Sequence, residues 1–448
     1  MESYYGIDIT EIEGFDNLHK PEGILKEIMN RAGRLFGAET YLLVNGSTGG
    51  ILSAVSAVVR RGETMLMARS CHKSVFHAAY LNGCKTEYIY PEILEKYGLC
   101  GGISPESVRA KLAANPEIKA VFVTSPTYDG VVSDVKAIAK EAHRQGIPLI
   151  VDEAHGAHFG LDKRFPKSAV ELGADLVIHS IHKTLPALTQ TALLHVQGER
   201  ISRERLRRFL AIYQTSSPSY ILLAGIEQCI SVLEEQGGTL CQQFFGWNRI
   251  YEQRMEHLRH LQVFSGREAE AYGIFAFDPC KKVICTGSTW LTGRTLYHRL
   301  LHDYGLQMEM AGQTYVTAIM TVMDREEGFL RLAEALEKID RELPKESAAD
   351  GGRDGDGGGM PEPAMAAMTI AGAMEKEQET VLLEACSGRI AAEFIHIYPP
   401  GIPLIVPGEY FTDGVIRLLL TYREQGFTIE GMREHNRKVC VIGREQYA

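Results

Sequence analysis

A lysine that follows a predicted buried strand is the first residue of this chain whose position suggests chemistry. Lys183 stands in the segment Ser180-Ile181-His182-Lys183-Thr184, directly after an apolar run. A lysine amine that is buried or flanked by charges can lose its proton and attack an aldehyde, which forms a Schiff base. Most lysines are surface residues. Lys183 therefore needs further residues beside it before that role is credible.

An aspartate at the end of another apolar run supplies the second part. Asp152 ends the run Pro148–Asp152, and Ala154 follows two positions later. A carboxylate beside a pyridine nitrogen keeps that nitrogen protonated, so that the ring can accept electrons. An alanine is small enough to lie flat under such a ring. Alone, Asp152 could cap a helix or bind a metal, but with Lys183 it indicates pyridoxal 5'-phosphate (PLP).

A Gly-rich segment supplies a place for the cofactor's phosphate. Asn45-Gly46-Ser47-Thr48-Gly49-Gly50 lies between a predicted strand and a helix predicted over Ile51 to Val59. Backbone N–H groups and hydroxyls at a helix N-terminus bind phosphate, aided by the helix dipole. A single Gly-rich turn is weak evidence, because it can be merely a tight connection. Here it is the third part of one predicted site.

Histidines near these segments have two possible roles. His72 opens a helix after the strand Met65–Ala68, where its imidazole could stack on the cofactor, although a capping or core histidine is the commoner case. Two histidine pairs, His155 with His158 and His179 with His182, have the spacing of metal ligands. Residues three apart share a face only in a helix, and positions 179–182 look like a strand end. We therefore predict no metal site.

The elements that must position these residues alternate between strand and helix. We predict a helix over Glu22 to Phe36 from its one-sided apolar residues, and further helices over Ser104–Ala113 and Asp134–Arg144. The predicted strands are Tyr41–Val44, Met65–Ala68, Thr86–Ile89, Ala120–Thr124, Pro148–Asp152, Leu176–Ser180 and Ala192–Val196. This alternation indicates a largely parallel sheet covered on both faces. Ligands bind outside the carboxyl ends of such strands, where the candidate residues begin.

The length of 448 residues favours more than one domain. We predict a PLP-binding major domain with an N-terminal arm over residues 1–260, and a connecting and small-domain region over 261–345. A Gly/Asp/Pro-rich linker over 346–363 and a C-terminal domain over 364–448 follow. Within the last part, Met374 to Glu393 looks helical.

Composition excludes several classes of protein. The formal net charge of -10 argues against a nucleic-acid partner. The acidic start lacks the layout of a signal peptide, and no apolar run is long enough to span a membrane. The nine cysteines are scattered and odd in number, which favours free thiols in a reducing cytoplasm.

Taken together, these residues resemble those of the Orn/Lys/Arg decarboxylase family of fold type I PLP enzymes. The matching stretches are NGSTGG, SCHKS, SPTYDG, VDEAHGAH, SIHKTLPALTQ, QTSSPSY and GRIAAEFIHIYPPGIPLIVPGE. The last is the most discriminating. The resemblance extends from about residue 10 to the C-terminus and is weaker between roughly 240 and 375. It implies a fold type I PLP-dependent transferase-like major domain, α/β with a mostly parallel sheet, and a smaller α+β C-terminal domain.

The resemblance also implies a role for each matching residue. Lys183 would form the Schiff base with PLP, Asp152 would pair with the pyridine nitrogen, and His72 would stack on the ring, with His155 near it. The residues expected to hold or flank the phosphate are Ser47, Thr48, Gly49, Ser180 and His182. Thr215 and Ser216 would reach the cofactor of a neighbouring subunit, because fold type I enzymes are usually dimers.

Two departures from the family pattern accompany the resemblance. The chain lacks the His-x-Pro-Gly-His-Lys motif with which members generally begin, so we expect either a truncated start or a missing part of the active-site wall. It also lacks the N-terminal wing of the acid-stress decarboxylases, so we expect no large ring assembly.

The expected reaction is decarboxylation of arginine, lysine or ornithine to its amine. One alternative is another fold type I reaction such as transamination or aldol cleavage, in which Arg417 would hold a carboxylate. The other is a PLP-binding or PLP-free protein that has lost catalysis. Glu409 and Asp129 are candidates to meet the distal cation of a basic substrate, and both could equally be structural.

Overall fold

The computed structural model describes residues 6, 8–287, 289–344, 365–398 and 401–444. Its helices are α1 (Ile24–Phe36), α2 (Gly46–Val58), α3 (Lys73–Asn82), α4 (Pro105–Ala114), α5 (Val135–Arg144), α6 (Ile181–Thr184), α7 (Arg203–Tyr213), α8 (Tyr220–Met255), α9 (Gly266–Ala271), α10 (Gly293–Tyr304), α11 (Glu326–Glu342), α12 (Ile370–Met374) and α13 (Asp413–Glu424).

The strands fall into two groups along the chain. Those of the first group are β1 (Glu39–Leu43), β2 (Thr64–Ala68), β3 (Lys85–Ile89), β4 (Ile93–Leu94), β5 (Leu99–Cys100), β6 (Ile118–Thr124), β7 (Val131–Val132), β8 (Leu149–Asp152), β9 (Leu176–His179) and β10 (Ala192–Val196). Those of the second are β11 (Gln262–Phe264), β12 (Ala276–Phe277), β13 (Lys281–Cys285), β14 (Met310–Ala311), β15 (Tyr315–Ile319), β16 (Gln378–Leu382), β17 (Ile395–Ile397), β18 (Pro403–Ile405), β19 (Ile429–Glu430) and β20 (Lys438–Ile442).

The principal sheet has the order β1-β10-β9-β8-β6-β2-β3 within the described residues. Strands β9, β8, β6, β2 and β3 pair in parallel, whereas β10 pairs antiparallel with both β9 and β1. Every residue of β2, β8, β9 and β10 is buried, as expected of strands that helices cover on both faces. The predicted α/β fold with a mostly parallel sheet is confirmed.

Side-chain caps define where several of the covering helices begin. Ser104 accepts a hydrogen bond from the backbone N–H of Ser107 at the start of α4, and Asp134 accepts one from Ala137 at the start of α5. Such caps satisfy backbone donors that have no partner inside the helix. Helix α1 buries its apolar residues as predicted, and Leu25, for example, is 2% exposed. The sheet, α4 and α5 therefore share one continuous apolar core, whereas the buried residues of α1 belong to a second cluster.

A second, antiparallel sheet of order β11-β13-β15-β14 packs with α1, α8, α10 and α11 around a separate apolar cluster. The short strand β12 leaves this region and pairs with β7, with Phe277 opposite Val131. That pairing joins the two parts of the chain beside the carboxyl ends of the principal strands. The predicted boundaries at 260, 345 and 363 stay predictions, and the predicted linker 346–363 lies outside the described residues.

Two local predictions were wrong. The helix predicted from Ile51 begins at Gly46, so the Gly-rich segment forms its first turn and not a loop before it. The helix predicted over Met374 to Glu393 is largely absent from this region, where α12 ends at Met374 and β16 follows. Strand β16 pairs antiparallel with β20 about 60 positions later, and such a long-range pairing overrides local helix preference.

The state of the cysteines and the character of the helices bear on the predictions drawn from composition. Each of the nine cysteines lies in the described part of the chain and is a free thiol. Among the described helices, not one combines the length and apolar character needed to cross a membrane.

Candidate active site

A cavity of about 310 Å³ opens at the carboxyl ends of the principal strands, within the size range of small-molecule sites. Asp152 ends β8, Thr124 ends β6, and Lys183 follows β9, and all three line the cavity. The opposite wall comes from the second sheet and from the C-terminal region. The predicted convergence of functional residues at this edge is present.

Lys183 lies in the short helix α6, directly after β9. Its Nζ is 2.9 Å from Nε2 of His155, a buried residue that also lines the cavity. Burial lowers the pKa of the Lys183 amine, while the charges of Asp152 and Glu309 oppose that shift. A lowered pKa increases the fraction of neutral amine, which is the nucleophilic form.

Asp152 is 3% exposed, and its Oδ1 accepts a hydrogen bond of 3.1 Å from the backbone N–H of Ala154. Burial raises the pKa of Asp152, and the nearby Lys183 opposes that rise. A further cation placed against this carboxylate would favour its ionised form. Ala154 is also buried and lines the cavity, so the small residue predicted to lie under a ring does face the space a ring would fill.

The three residues of the Gly-rich segment that were predicted to bind phosphate differ in their access to the cavity. Ser47 lines the cavity in the first turn of α2, whereas Thr48 is exposed and Gly49 is buried in the same turn. The Asn45 side chain makes no capping hydrogen bond there, so the first N–H groups of this 13-residue helix receive no side-chain partner from the N-cap. That helix end can bind an anion.

Hydroxyl groups near α6 add to the same part of the site. The Oγ of Ser180 and the Oγ1 of Thr184 are buried and have no hydrogen-bond partner among the described residues. Buried polar atoms are rarely left without one. His182 is half-buried, and its Nδ1 lies 2.8 Å from the carbonyl oxygen of Thr191, to which it can donate. Only its second nitrogen is then left for a phosphate.

His72 caps α3, and its Nδ1 lies 2.8 Å from the Oγ of Ser74. Burial, and then the charge of Lys183, lowers the pKa of His72 to about 3, so its imidazole is neutral at neutral pH. Gly401 lies against this ring, because a Cβ at that position would be 3.4 Å from it. A flat, neutral ring held in this way suits stacking on a cofactor.

Taken together, the residues of this cavity fit PLP. The site provides an amine at Lys183, a buried carboxylate at Asp152, small Ala154 between them in sequence, and the flat ring of His72. The backbone N–H groups at the N-terminus of α2 and the unpartnered hydroxyl of Ser180 provide donors for a phosphate. The donor set is the one that a pyridine aldehyde bearing a phosphate requires.

The cavity lining also contains Asp129, which was a candidate for the substrate's distal cation, and two residues that were not predicted, Tyr128 and Glu309. Tyr128 donates a hydrogen bond of 2.5 Å to Oε1 of Glu309, and both line the cavity. Asp129 is buried and accepts hydrogen bonds from Tyr315 and Thr317, each of 3.1 Å. Burial raises the pKa of Asp129 to about 6. The cavity lining therefore contains two carboxylates besides Asp152, Glu309 next to β14 and Asp129 in the loop between β6 and β7.

A second lysine was missed altogether. Lys281 is 1% exposed, and its Nζ is 2.9 Å from Nδ1 of His155, so two lysines contact the two nitrogens of one imidazole. The sequence offers only a weak signal, the pair Lys281-Lys282 at the start of β13, directly before the apolar residues Val283 to Cys285.

The histidine pairs weighed as metal ligands are separated in the structure. His155 contacts the two lysines, whereas His158 bonds to Asp278 at 2.9 Å. His179 bonds to Glu153 at 2.7 Å, away from the contact that His182 makes with Thr191. Among the described residues, one group of three has ligand atoms within 4.8 Å of one another, and it consists of His158, Asp278 and Cys280.

Four further candidates lie away from the cavity lining. Thr215 and Ser216 are exposed, and the carbonyl oxygen of Thr215 accepts a hydrogen bond from His19, so their predicted role at a neighbouring subunit stays a prediction. Glu409 is fully buried and pairs with Arg69 at 3.1 Å, which makes it structural. Arg417 is exposed on α13, and none of the described residues that line the cavity is an arginine.

Residues 2–290 match the family described as Orn/Lys/Arg decarboxylase, major domain, and residues 358–435 match Orn/Lys/Arg decarboxylase, C-terminal domain. Arginine decarboxylase of Bacillus subtilis (strain 168) is 31% identical, over 100% of this chain and 91% of that protein. Lysine decarboxylase LdcA of Pseudomonas aeruginosa is 26% identical, over 91% and 68% respectively. The crystal structure of the Francisella novicida lysine decarboxylase LdcF is similar in fold, with a TM-score of 0.78, 21% identity, and coverage of 95% of this chain and 73% of that one.

Proposed function

The chain belongs to the Orn/Lys/Arg decarboxylase family and is an amino acid decarboxylase, and we propose that it removes the α-carboxyl group of a basic L-amino acid with PLP held at Lys183. The observation that carries the proposal is one cavity whose lining contains Lys183 and Asp152 together with two further carboxylates, Asp129 and Glu309.

The residues that would hold PLP can be assigned to separate parts of the cofactor. Bound PLP would supply an electron sink for the pair of electrons left when the bond between Cα and the carboxylate breaks. Asp152 would keep the pyridine nitrogen protonated from its buried position, and Ser47 and Ser180 would hold the phosphate. His72 and Ala154 would cover the two faces of the ring.

The chain's own groups account for the proton that must return to Cα. Lys183 lines the cavity, and burial lowers the pKa of its amine, which makes the amine a better proton donor in its charged form. His72 is the alternative donor, but its pKa of about 3 means that it holds no extra proton at neutral pH. We therefore assign the return of the proton to Lys183.

The far end of the cavity provides for the substrate's cationic group. Glu309 offers a carboxylate that is anchored by Tyr128, and Asp129 adds a second that is anchored by Tyr315 and Thr317. A buried or half-buried carboxylate recognises a cation by charge-assisted hydrogen bonds. A basic side chain of arginine, lysine or ornithine has the complementary charge, and the 31% identical arginine decarboxylase makes arginine the first to test.

The test is product analysis with purified protein. PLP is added, arginine, lysine and ornithine are supplied separately, and agmatine, cadaverine and putrescine are measured. We expect one dominant amine from the wild type, none from Lys183→Ala, and wild-type turnover from Arg417→Ala, the exposed control. Glutamate formed from added 2-oxoglutarate, together with the keto acid of the supplied amino acid and no amine from any substrate, would replace this proposal by transamination.

We also propose that the protein acts as a homodimer in the cytoplasm. The free thiols support a reducing compartment. The exposure of Thr215 and Ser216 leaves this segment accessible to a second subunit. Sedimentation of the wild type against Thr215→Arg tests the dimer, and an unchanged dimer would remove this segment from the interface.

A further inference from the structure

His155 is held between two lysines in a way that limits their protonation. Nε2 of His155 lies 2.9 Å from Nζ of Lys183, and Nδ1 lies 2.9 Å from Nζ of Lys281. Burial, together with the two lysine charges, holds the pKa of His155 well below its usual range, so the ring is neutral. A neutral imidazole has one donor nitrogen and one acceptor nitrogen.

Because neutral His155 has one donor and one acceptor nitrogen, only one of the two lysines that contact it can be an ammonium group. An ammonium group donates hydrogen bonds and accepts none, so it can contact only the acceptor nitrogen of His155. The lysine at the other nitrogen must accept a hydrogen bond from the ring N–H. It can do so only as a neutral amine.

The surroundings indicate which lysine keeps its charge. The carboxylates that act on Lys281 are Asp278, Glu309 and Asp129, whereas those that act on Lys183 are Asp152 and Glu309. Lys281 Nζ also lies 5.5 Å from the centre of the Tyr128 ring, a favourable position for a cation. The other titratable groups that face this cluster are His72 and His182.

The fold holds Lys281 in this place from two directions. Asp278 donates its backbone N–H to the carbonyl of Gly130 at 2.9 Å, beside the pairing of β12 with β7. A Cβ at Gly130 would lie 2.6 Å from Cγ of Lys281, and Gly130 has a φ of +100°. Glycine avoids both the steric clash and the backbone strain, because it has no Cβ. The Tyr128-Asp129-Gly130 segment of the SPTYDG motif thus provides a ring, a carboxylate and a space for this lysine.

We propose that Lys281 is a positioning residue that donates to Nδ1 of His155, so that the Nε2–H of His155 donates to Lys183 and holds that residue as a neutral amine. The inference rests on the proposed function, since a neutral amine is what the attachment of PLP to Lys183 requires. Lys281 acts through His155 and has no place of its own in the cavity lining.

The test measures the protonation of Lys183 directly and needs no cofactor. PLP-free protein is treated with formaldehyde and a mild hydride donor across a range of pH, and methylation of Lys183 is quantified by peptide mass spectrometry. The rate follows the neutral-amine fraction, so its pH midpoint reports the pKa of Lys183. Lys281→Met removes a nearby cation, which makes the ammonium form of Lys183 less unfavourable. We expect its midpoint to rise by about one unit and its labelling at neutral pH to fall about tenfold.

Lys282→Met is the matched control. Lys282 is the next residue, is 2% exposed, and bonds to Asn248 and to the carbonyl of Pro279, away from His155. Its loss should leave the midpoint at the wild-type value. If Lys281→Met does not fold, His155→Gln breaks the same link, because its amide oxygen can accept from a Lys183 ammonium group and the midpoint should again rise.

An unchanged Lys183 midpoint in a folded Lys281→Met or His155→Gln protein overturns the inference. Failure of the proposed function would be seen separately, as wild-type protein that shows the expected methylation profile but gains no Lys183-dependent absorbance with PLP.

Discussion

Replacement of Glu409 by glutamine should destabilise the protein far more than its conservative character suggests. Glu409 is fully buried, and its two carboxylate oxygens accept hydrogen bonds of 3.3 and 3.1 Å from Arg69, which is 2% exposed. Arg69 also donates to the carbonyl oxygens of Pro403 and Leu404, both of which line the cavity. The pair therefore joins the end of β2 to the C-terminal wall of the site.

The expected magnitude follows from this burial. Glutamine removes the negative charge and leaves Arg69 buried and uncompensated, which costs about 3–5 kcal/mol of unfolding free energy. Removal of both charges by Arg69→Met with Glu409→Met leaves no uncompensated ion. The double variant should therefore be more stable than either single variant, and the coupling between the two positions should be large.

Urea unfolding followed by circular dichroism gives the comparison for the wild type, both single variants and the double variant. Glu384→Gln is the control, because its ion pair with Arg423 has half of the Glu384 side chain exposed and should change the midpoint little. A Glu409→Gln cost below about 1 kcal/mol, or additive effects of the two substitutions, would refute the argument.

The cavity supports three further predictions. Asp152→Asn should leave PLP attached to Lys183, as seen by absorbance, but should lower the rate of amine formation by about 10²–10³-fold, because the pyridine nitrogen loses its carboxylate; an unchanged rate would contradict the assigned role. Ala154→Leu should overfill the space under the ring at a cost of about 1–3 kcal/mol, which weakens PLP binding by roughly 5–150-fold in a titration; binding as tight as in the wild type would place the ring elsewhere. Glu309→Gln should lower kcat/KM for the basic substrate by about 10–100-fold through loss of a charged partner, whereas exposed Asp303→Asn should not; equal effects would remove Glu309 from the substrate site.

The parts of this protein that could be predicted from sequence are those set by local pattern. The strands of the principal sheet are continuous apolar runs, and the residues that follow them, such as Asp152 and Lys183, fall at one edge because parallel strands end together. The lysine, its aspartate and the small residue Ala154 were therefore accessible without a structure. Their chemistry constrained one another, which made the combination more specific than any one residue.

The parts that could not be predicted depend on long-range packing. Glu309 and Lys281 reach the site because the second sheet and the pairing of β12 with β7 bring them to the end of the principal strands. Glu409 looked equally suited to a substrate cation, and only its pairing with Arg69, 340 positions away, identifies it as structural. The local pattern predicts helix where β16 forms, because the partner of this strand, β20, lies far along the chain.

The central claim is that PLP is carried by Lys183, and mass spectrometry tests it most directly. Purified protein loaded with PLP is reduced with borohydride, digested, and searched for the peptide that carries the pyridoxyl group. We predict the adduct on Lys183 and none on Lys281, although both lysines lie 2.9 Å from the same histidine. An adduct on Lys281, or a folded protein that forms no adduct at all, would contradict the account.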